Sequence, residues 1–268
     1  MASPVPVIDL AAAAGPDVPA SVLDLVREAT ETVGVVQVVN HEVPLDLIAE
    51  FDRRTGRLLG LPRSRKPELA CPIGRYAQHH VRPADDPVLR DLAFRYLTAG
   101  QWLAERVLGL YARAQGLPEG TFPVDPLPYL SVTVNDHPTW KYPGPGYGED
   151  KLRLEQAEGS VLTVLAQAGG HAGLEIQRPE GDWGPLPAVP GALPVFSGPL
   201  LTRWTNGLLR PARHRAVTGG TATRRATAVF RYPALGRVRG PLAPFAAPGE
   251  ETGCEPVTRW DLVADHAA

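Results

Sequence analysis

Cysteine is scarce in this chain: Cys71 and Cys254 are the only two among 268 residues. With no CxxC pair and no Cys/His cluster, neither a disulfide framework nor a zinc–thiolate site is indicated. Long apolar runs are missing as well. No stretch approaches the roughly 18 consecutive apolar residues of a membrane helix, and MASPVPVIDL lacks the basic-then-apolar order of a signal peptide, so the expected compartment is the cytoplasm. An excess of one charge is also lacking, because 27 basic and 29 acidic residues are interspersed along the chain. That balance leaves no basic stripe for nucleic acid. No internal repeat is present.

What is present is a globular composition, 44% hydrophobic and 21% charged, at a length compatible with a single domain. Glycine and proline are plentiful, 27 and 29, which favours turns and short strands over a helical array. Val5 to Leu10 reads as a short strand. Ser21 with Asp24 three residues on resembles a capping box, and Val22, Val26, Ala29 and Val33 recur on one helical face. Gly34 stops that helix, and Val35 to Val39 is a β-branched run that reads as a buried strand. From Asn40 to Pro87 the chain is turn-rich, with a short helical stretch around Leu47 to Leu59. The longest helix is expected over Leu89 to Gln115.

Beyond Pro118, short β-type segments follow one another: Leu130–Val134, Val161–Leu165, Leu174–Gln177, Leu193–Phe196, Leu200–Thr205, Arg215–Val217 and Ala226–Tyr232. Asp136 to Asp150, rich in Gly and Pro, reads as a loop at the mouth of a barrel. The expected fold is mainly β with flanking helices (α+β) around a jelly-roll core. Residues 1–118 form a helical support region and residues 119–268 the jelly roll with the site, all within one domain.

Several motifs, in order, resemble one family. GVVQVVNHEVP (Gly34–Pro44), LTVL (Leu162–Leu165), GLEIQ (Gly173–Gln177), DWGPLPAVPGAL (Asp182–Leu193), TNGLLRPARHRAV (Thr205–Val217), RATAVFRYP (Arg225–Pro233) and EPVTRWDLV (Glu255–Val263) are similar to the isopenicillin N synthase-like branch of the 2-oxoglutarate/Fe(II)-dependent dioxygenases. The resemblance implies a double-stranded β-helix whose open end holds iron through a His, an acidic residue two positions later and a distant second His. Two imidazoles and one carboxylate on one face leave positions open for 2-oxoglutarate and oxygen.

In this chain those positions read Gln156, Glu158 and His214, so one imidazole is missing. A neutral amide oxygen is a weaker ligand for Fe(II) than an imidazole nitrogen. By the same resemblance Arg225 and Thr227 form a carboxylate clamp, His137 replaces a tyrosine that helps to bind cosubstrate, and Phe196 stands where asparagine is usual. Trp140 in the Gly/Pro loop is a candidate pocket wall beside His137 and Phe196. His41 reads as structural.

Two enzymatic expectations follow. The first, drawn from the altered triad, is redox-neutral chemistry (cyclisation, elimination, isomerisation or a pericyclic step) with no cofactor, assisted by Glu158 and His214. The alternative is an atypical oxidoreductase that holds Fe(II) through Gln156, Glu158 and His214 and 2-oxoglutarate through Arg225 and Thr227. A third reading is a non-catalytic binding protein. In each case the expected partner is a small carboxylate-bearing molecule, of a kind made in specialised metabolism. The oligomeric state is left open.

Overall fold

A computed structural model describes residues 5–61, 70–73, 76–80, 87–123, 129–137, 153–156, 160–167, 174–217, 224–232, 241–246 and 249. The first part of the chain runs β1 (Val7–Asp9), α1 (Ala20–Thr32), β2 (Val35–Val39), α2 (Leu45–Leu59), β3 (Ala70–Ile73), β4 (Tyr76–His80) and α3 (Pro87–Ala114). The second part runs β5 (Tyr129–His137), β6 (Arg153–Gln156), β7 (Leu162–Gln167), β8 (Leu174–Gln177), β9 (Trp183–Pro185), β10 (Leu193–Ser197), α4 (Pro199–Trp204), β11 (His214–Val217) and β12 (Arg224–Tyr232).

The strands make two sheets. One has eight strands in the order β1-β2-β10-β7-β12-β5-β4-β3, and the other has four, β6-β11-β8-β9. The β1–β2 pair is parallel; the remaining pairs are antiparallel. Strands from the N-terminal region therefore extend both edges of the larger sheet, β1 and β2 beside β10 and the β3–β4 hairpin beside β5.

The helices cover one face of that sheet. α2 buries Leu47, Phe51, Thr55 and Leu59 at a spacing of four, the repeat that places side chains along one helical stripe. Phe51 stacks on Tyr96 of α3 with ring centroids 5.1 Å apart. α3 in turn packs against α1 and α2 and against β5, β7 and β12.

Four local expectations change. α1 opens at Ala20 with Pro19 at the N-cap and no side-chain capping bond, so Ser21 lies inside the helix and the fixed φ of Pro19 sets its entry. The apolar run Leu200–Thr205 is not a strand. Pro199 starts α4, and Leu200, Leu201 and Trp204 are its buried residues; a short apolar run fits either element, and proline at the first helical position favours the helix. The turn-rich span from Asn40 to Pro87 contains β3 and β4, and Asp136 and His137 complete β5 instead of opening a loop.

Candidate active site

Directly opposed residues in an antiparallel pair share a face, and successive residues alternate faces. Phe196 opposes Thr163, Thr163 opposes Phe230, and Leu165 opposes Ala228. Ala226 opposes Asn135, and Arg224 opposes His137. These positions make one continuous face of the eight-stranded sheet. The ring of Phe196 meets that of His214, from the four-stranded sheet, with centroids 4.6 Å apart, so this face is turned toward the second sheet and lines the barrel. Ser197, one residue along β10, neighbours Tyr111 of α3, whose phenol is pushed up by burial; neither hydroxyl reaches a hydrogen-bond partner among the described residues. The Ser197 face, which also carries Leu162, Val164, Val134 and Thr227 by register, is the one beneath the helices.

His214 opens β11 and is buried, 6% exposed. Its Nδ1 lies 3.1 Å from the carbonyl oxygen of Ala212; a carbonyl only accepts, so Nδ1 carries the proton and the ring's lone pair is on Nε2. Ala212 is held in its turn. Its N–H donates to Ser197 O at 2.8 Å, and the Ser197 N–H donates to Gly34 O at 2.8 Å. Gly34 has φ +69°, and a Cβ there would stand 2.4 Å from Arg210 O and 2.9 Å from Ala212 N. Only glycine fits a left-handed position pressed so closely against the segment that leads into His214.

Across the β6–β11 pair, Gln156 stands directly opposite His214, with Ile176 of β8 opposite His214 on its other side. The topology thus brings two of the three expected triad positions together. Glu158, the third, and Trp140 lie outside the described residues. Among the described residues no three His, Cys, Asp or Glu side chains gather as a metal site. Phe196 is buried, 2% exposed, against His214, and His137 ends β5 opposite Arg224.

The two residues expected to form the clamp share one face of β12 by register. Arg225 opposes Asp136, and Thr227 opposes Val134 and Ala166, which puts both on the helix-covered side; Thr227 is buried there, 4% exposed. The barrel face of β12 carries Arg224, Ala226, Ala228 and Phe230. The register of β12 is unbroken against β5 from Arg224 to Tyr232, so no bulge interrupts the alternation of faces along it. Two adjacent arginines let the motif be read in either register. The alternation of Ala226, Ala228 and Phe230 was the signal for the inner one.

A separate groove of about 460 Å³ is lined by Trp102, Arg106 and Arg113 of α3 with Gly15 and Glu119. Its guanidiniums are committed to backbone, Arg106 to Leu10 O and Arg113 to Gly15 O and Pro16 O. They pin the turn after β1 onto α3.

Comparison with known proteins now bears on this geometry. Residues 129–233 match the 2OG-Fe(II) oxygenase superfamily, and residues 5–85 match the N-terminal region named for a non-haem dioxygenase in morphine synthesis. The chain belongs to the 2-oxoglutarate/Fe(II) dioxygenase superfamily. Among similar proteins of this superfamily, gibberellin 2-beta-dioxygenase 4 of Arabidopsis thaliana is 27% identical, over 81% of this chain and 77% of that protein. A bi-functional coumaroyl CoA and feruloyl CoA ortho-hydroxylase of Ipomoea batatas is 26% identical, over 98% of this chain and 78% of its own length. In structure, a Neurospora crassa protein solved with alpha-KG and 5-formyluracil superposes with TM-score 0.80 at 16% identity, over 98% of this chain and 95% of that one. The 2-oxoglutarate complex of dioxygenase for auxin oxidation 1 from Arabidopsis thaliana gives 0.74 at 22% identity, covering 92% and 99%.

The jelly-roll expectation holds. The expectation of a reaction without cofactor does not: the matched superfamily is that of 2OG-Fe(II) oxygenases, the similar proteins carry dioxygenase and hydroxylase names, and the structural neighbours were solved with 2-oxoglutarate. A superfamily match across the barrel outweighs an inference drawn from Gln156 alone, because a divalent ion also accepts amide and carboxylate oxygens. Among the described residues no helix is long and apolar enough to cross a membrane.

Proposed function

We propose that this chain is a 2-oxoglutarate/Fe(II)-dependent oxidoreductase of small molecules with a one-histidine metal site, made of the His214 imidazole, the Gln156 amide oxygen and the Glu158 carboxylate. The observation that carries this reading is the direct opposition of Gln156 and His214 across β6–β11, together with the Ala212 carbonyl that leaves the lone pair of His214 on Nε2. One nitrogen and two oxygen donors, with a single negative charge, suit a divalent ion of Fe(II) or Mn(II) character, at lower affinity than a set with two imidazoles. When bound, the metal and 2-oxoglutarate supply the activation of dioxygen.

The protein's own part is binding and shielding. Arg224, on the barrel face, is the candidate for the distal carboxylate of 2-oxoglutarate, since a guanidinium matches a carboxylate with two parallel hydrogen bonds. Ala226 occupies the position of the partnering hydroxyl, so the clamp here is arginine alone, with His137 directly opposite it. Phe196, Leu165 and Thr163, all buried, make the wall around this region apolar and water-poor. The carboxylate first assigned to the substrate is in this reading that of 2-oxoglutarate, and the substrate is a small molecule.

The test is an anaerobic Fe(II) titration of the metal-free protein, with and without 2-oxoglutarate, read by elemental analysis and by the visible charge-transfer band of the ternary complex. Stoichiometric iron and a band that needs 2-oxoglutarate are expected. Absence of bound iron at millimolar Fe(II), with 2-oxoglutarate present, would overturn the proposal.

A further inference from the structure

We infer that Phe196 is a positioning residue that holds the site's imidazole in its ligating orientation, an inference that rests on the metal-site reading above. Two described contacts touch the His214 side chain directly, the Phe196 ring and the Ala212 carbonyl, and the end of β10 stands behind both. The ring of Phe196 lies against the imidazole at 4.6 Å between centroids, with the planes 33° apart. The carbonyl of the next residue, Ser197, accepts from Ala212 N at 2.8 Å, and the Ala212 carbonyl accepts from His214 Nδ1 at 3.1 Å. A carbonyl sets the tautomer and one in-plane direction, but a single hydrogen bond does not by itself set the tilt of the ring about that bond. The Phe196 face bears on that tilt.

Phe196 is buried, and its partners across β10 are Val35 on β2 and Thr163 on β7, so its ring cannot retreat without disturbing the centre of the sheet. A site with a single imidazole has one strong nitrogen donor, and its affinity depends on that donor being held ready before the metal arrives. An asparagine at this position would offer His214 a polar partner and less contact area. Phenylalanine offers the ring contact area alone, with no group that competes for Nε2.

The experiment measures Mn(II) affinity of the full-length protein by electron paramagnetic resonance, with 2-oxoglutarate present, for five proteins. These are wild type, His214→Ala, Phe196→Ala, Phe196→Tyr and, as a core control, Leu162→Ala on the helix-covered face of the same sheet. Removal of a group that orients a metal ligand typically lowers affinity by about 10- to 100-fold. That loss is expected for Phe196→Ala, with a broadened Mn(II) signal, whereas Phe196→Tyr keeps the ring and stays within about threefold of wild type. Leu162→Ala is expected to melt at lower temperature while keeping its Mn(II) affinity, which separates positioning from general loosening. Wild-type affinity in Phe196→Ala, or an equal loss in Leu162→Ala, overturns the inference. Wild-type affinity in His214→Ala instead overturns the metal-site reading. If Phe196→Ala does not fold, Phe196→Leu replaces it, with the same expected loss and the same overturning result.

Discussion

Gln156 and His214 stand directly opposite each other across the β6–β11 ladder. Opposed residues of an antiparallel pair have Cβ atoms about 4.5–5.5 Å apart, the distance over which two side chains can share one ion. Replacing Gln156 with His therefore adds a second imidazole at a position already in register. Gln156→His is expected to raise Fe(II) affinity at least about tenfold, since an imidazole nitrogen is the better donor. Anaerobic titration checks this, and unchanged affinity would separate Gln156 from the metal site.

Arg224 and Arg225 are neighbours in sequence and lie on opposite faces of β12. Charge-assisted hydrogen bonds contribute about 1.5–3 kcal/mol each, so Arg224→Ala is expected to weaken 2-oxoglutarate binding by about tenfold or more. Arg225→Ala is expected to change it by less than about threefold. Calorimetric titration of 2-oxoglutarate into the Mn(II)-loaded protein separates the two, and the reverse ranking would refute the barrel-face assignment of Arg224.

Gly34 and Gly116 provide a matched pair. Both have positive φ, +69° and +71°, but a Cβ on Gly116 meets nothing within 4 Å, while one on Gly34 meets Arg210 O at 2.4 Å and Ala212 N at 2.9 Å. Gly116→Ala is expected to cost about 1 kcal/mol from the left-handed backbone alone. Gly34→Ala adds a collision and is expected to cost about 2–4 kcal/mol, and to lower metal affinity because the displaced segment carries His214. Urea unfolding and Mn(II) binding report the two effects; equal losses of stability would remove the close contact from the account.

His41 is neutral in the fold. The Val43 N–H donates to its Nδ1 at 3.1 Å, so Nε2 carries the proton and donates to Gly191 O at 3.2 Å. Burial lowers its pKa below the ordinary 6.5, and the Gly191 carbonyl opposes this only in part. Below pH 6.5 the unfolded chain then binds the proton more readily than the fold, so this contribution is full above about pH 6.5 and is lost as the pH falls toward the folded value. His41→Gln is expected to flatten the fall of melting temperature over this interval relative to wild type. Parallel curves would show that His41 does not titrate between the two states.

Much of this molecule was legible in one dimension. The β-branched run Val35–Val39, the long helix ending near Gln115 and the ordered motifs from Gly34 to Pro233 carry their structure in local patterns, because apolar period and turn residues act within a few positions. Gly34 could be read as a helix stop. Its pressure on Arg210 and Ala212 could not, since those residues are distant in sequence. The β3–β4 hairpin was hidden because its pairing partner, β5, lies beyond the longest helix, and α4 was hidden because six residues are too few for a period to declare itself.

The sequence by itself determined the superfamily and the jelly roll, and it nominated Gln156, Glu158 and His214 for the metal site proposed above. Tertiary structure decided which face each of those strands turns inward. A strand alternates its side chains with a period of two, so a shift of one residue moves a whole set from barrel to helix side. Motif matching tolerates that shift when two arginines are adjacent. The unbroken ladder of β12 on β5 and β7, with Phe196 against His214 on one side and Ser197 beside Tyr111 on the other, does not.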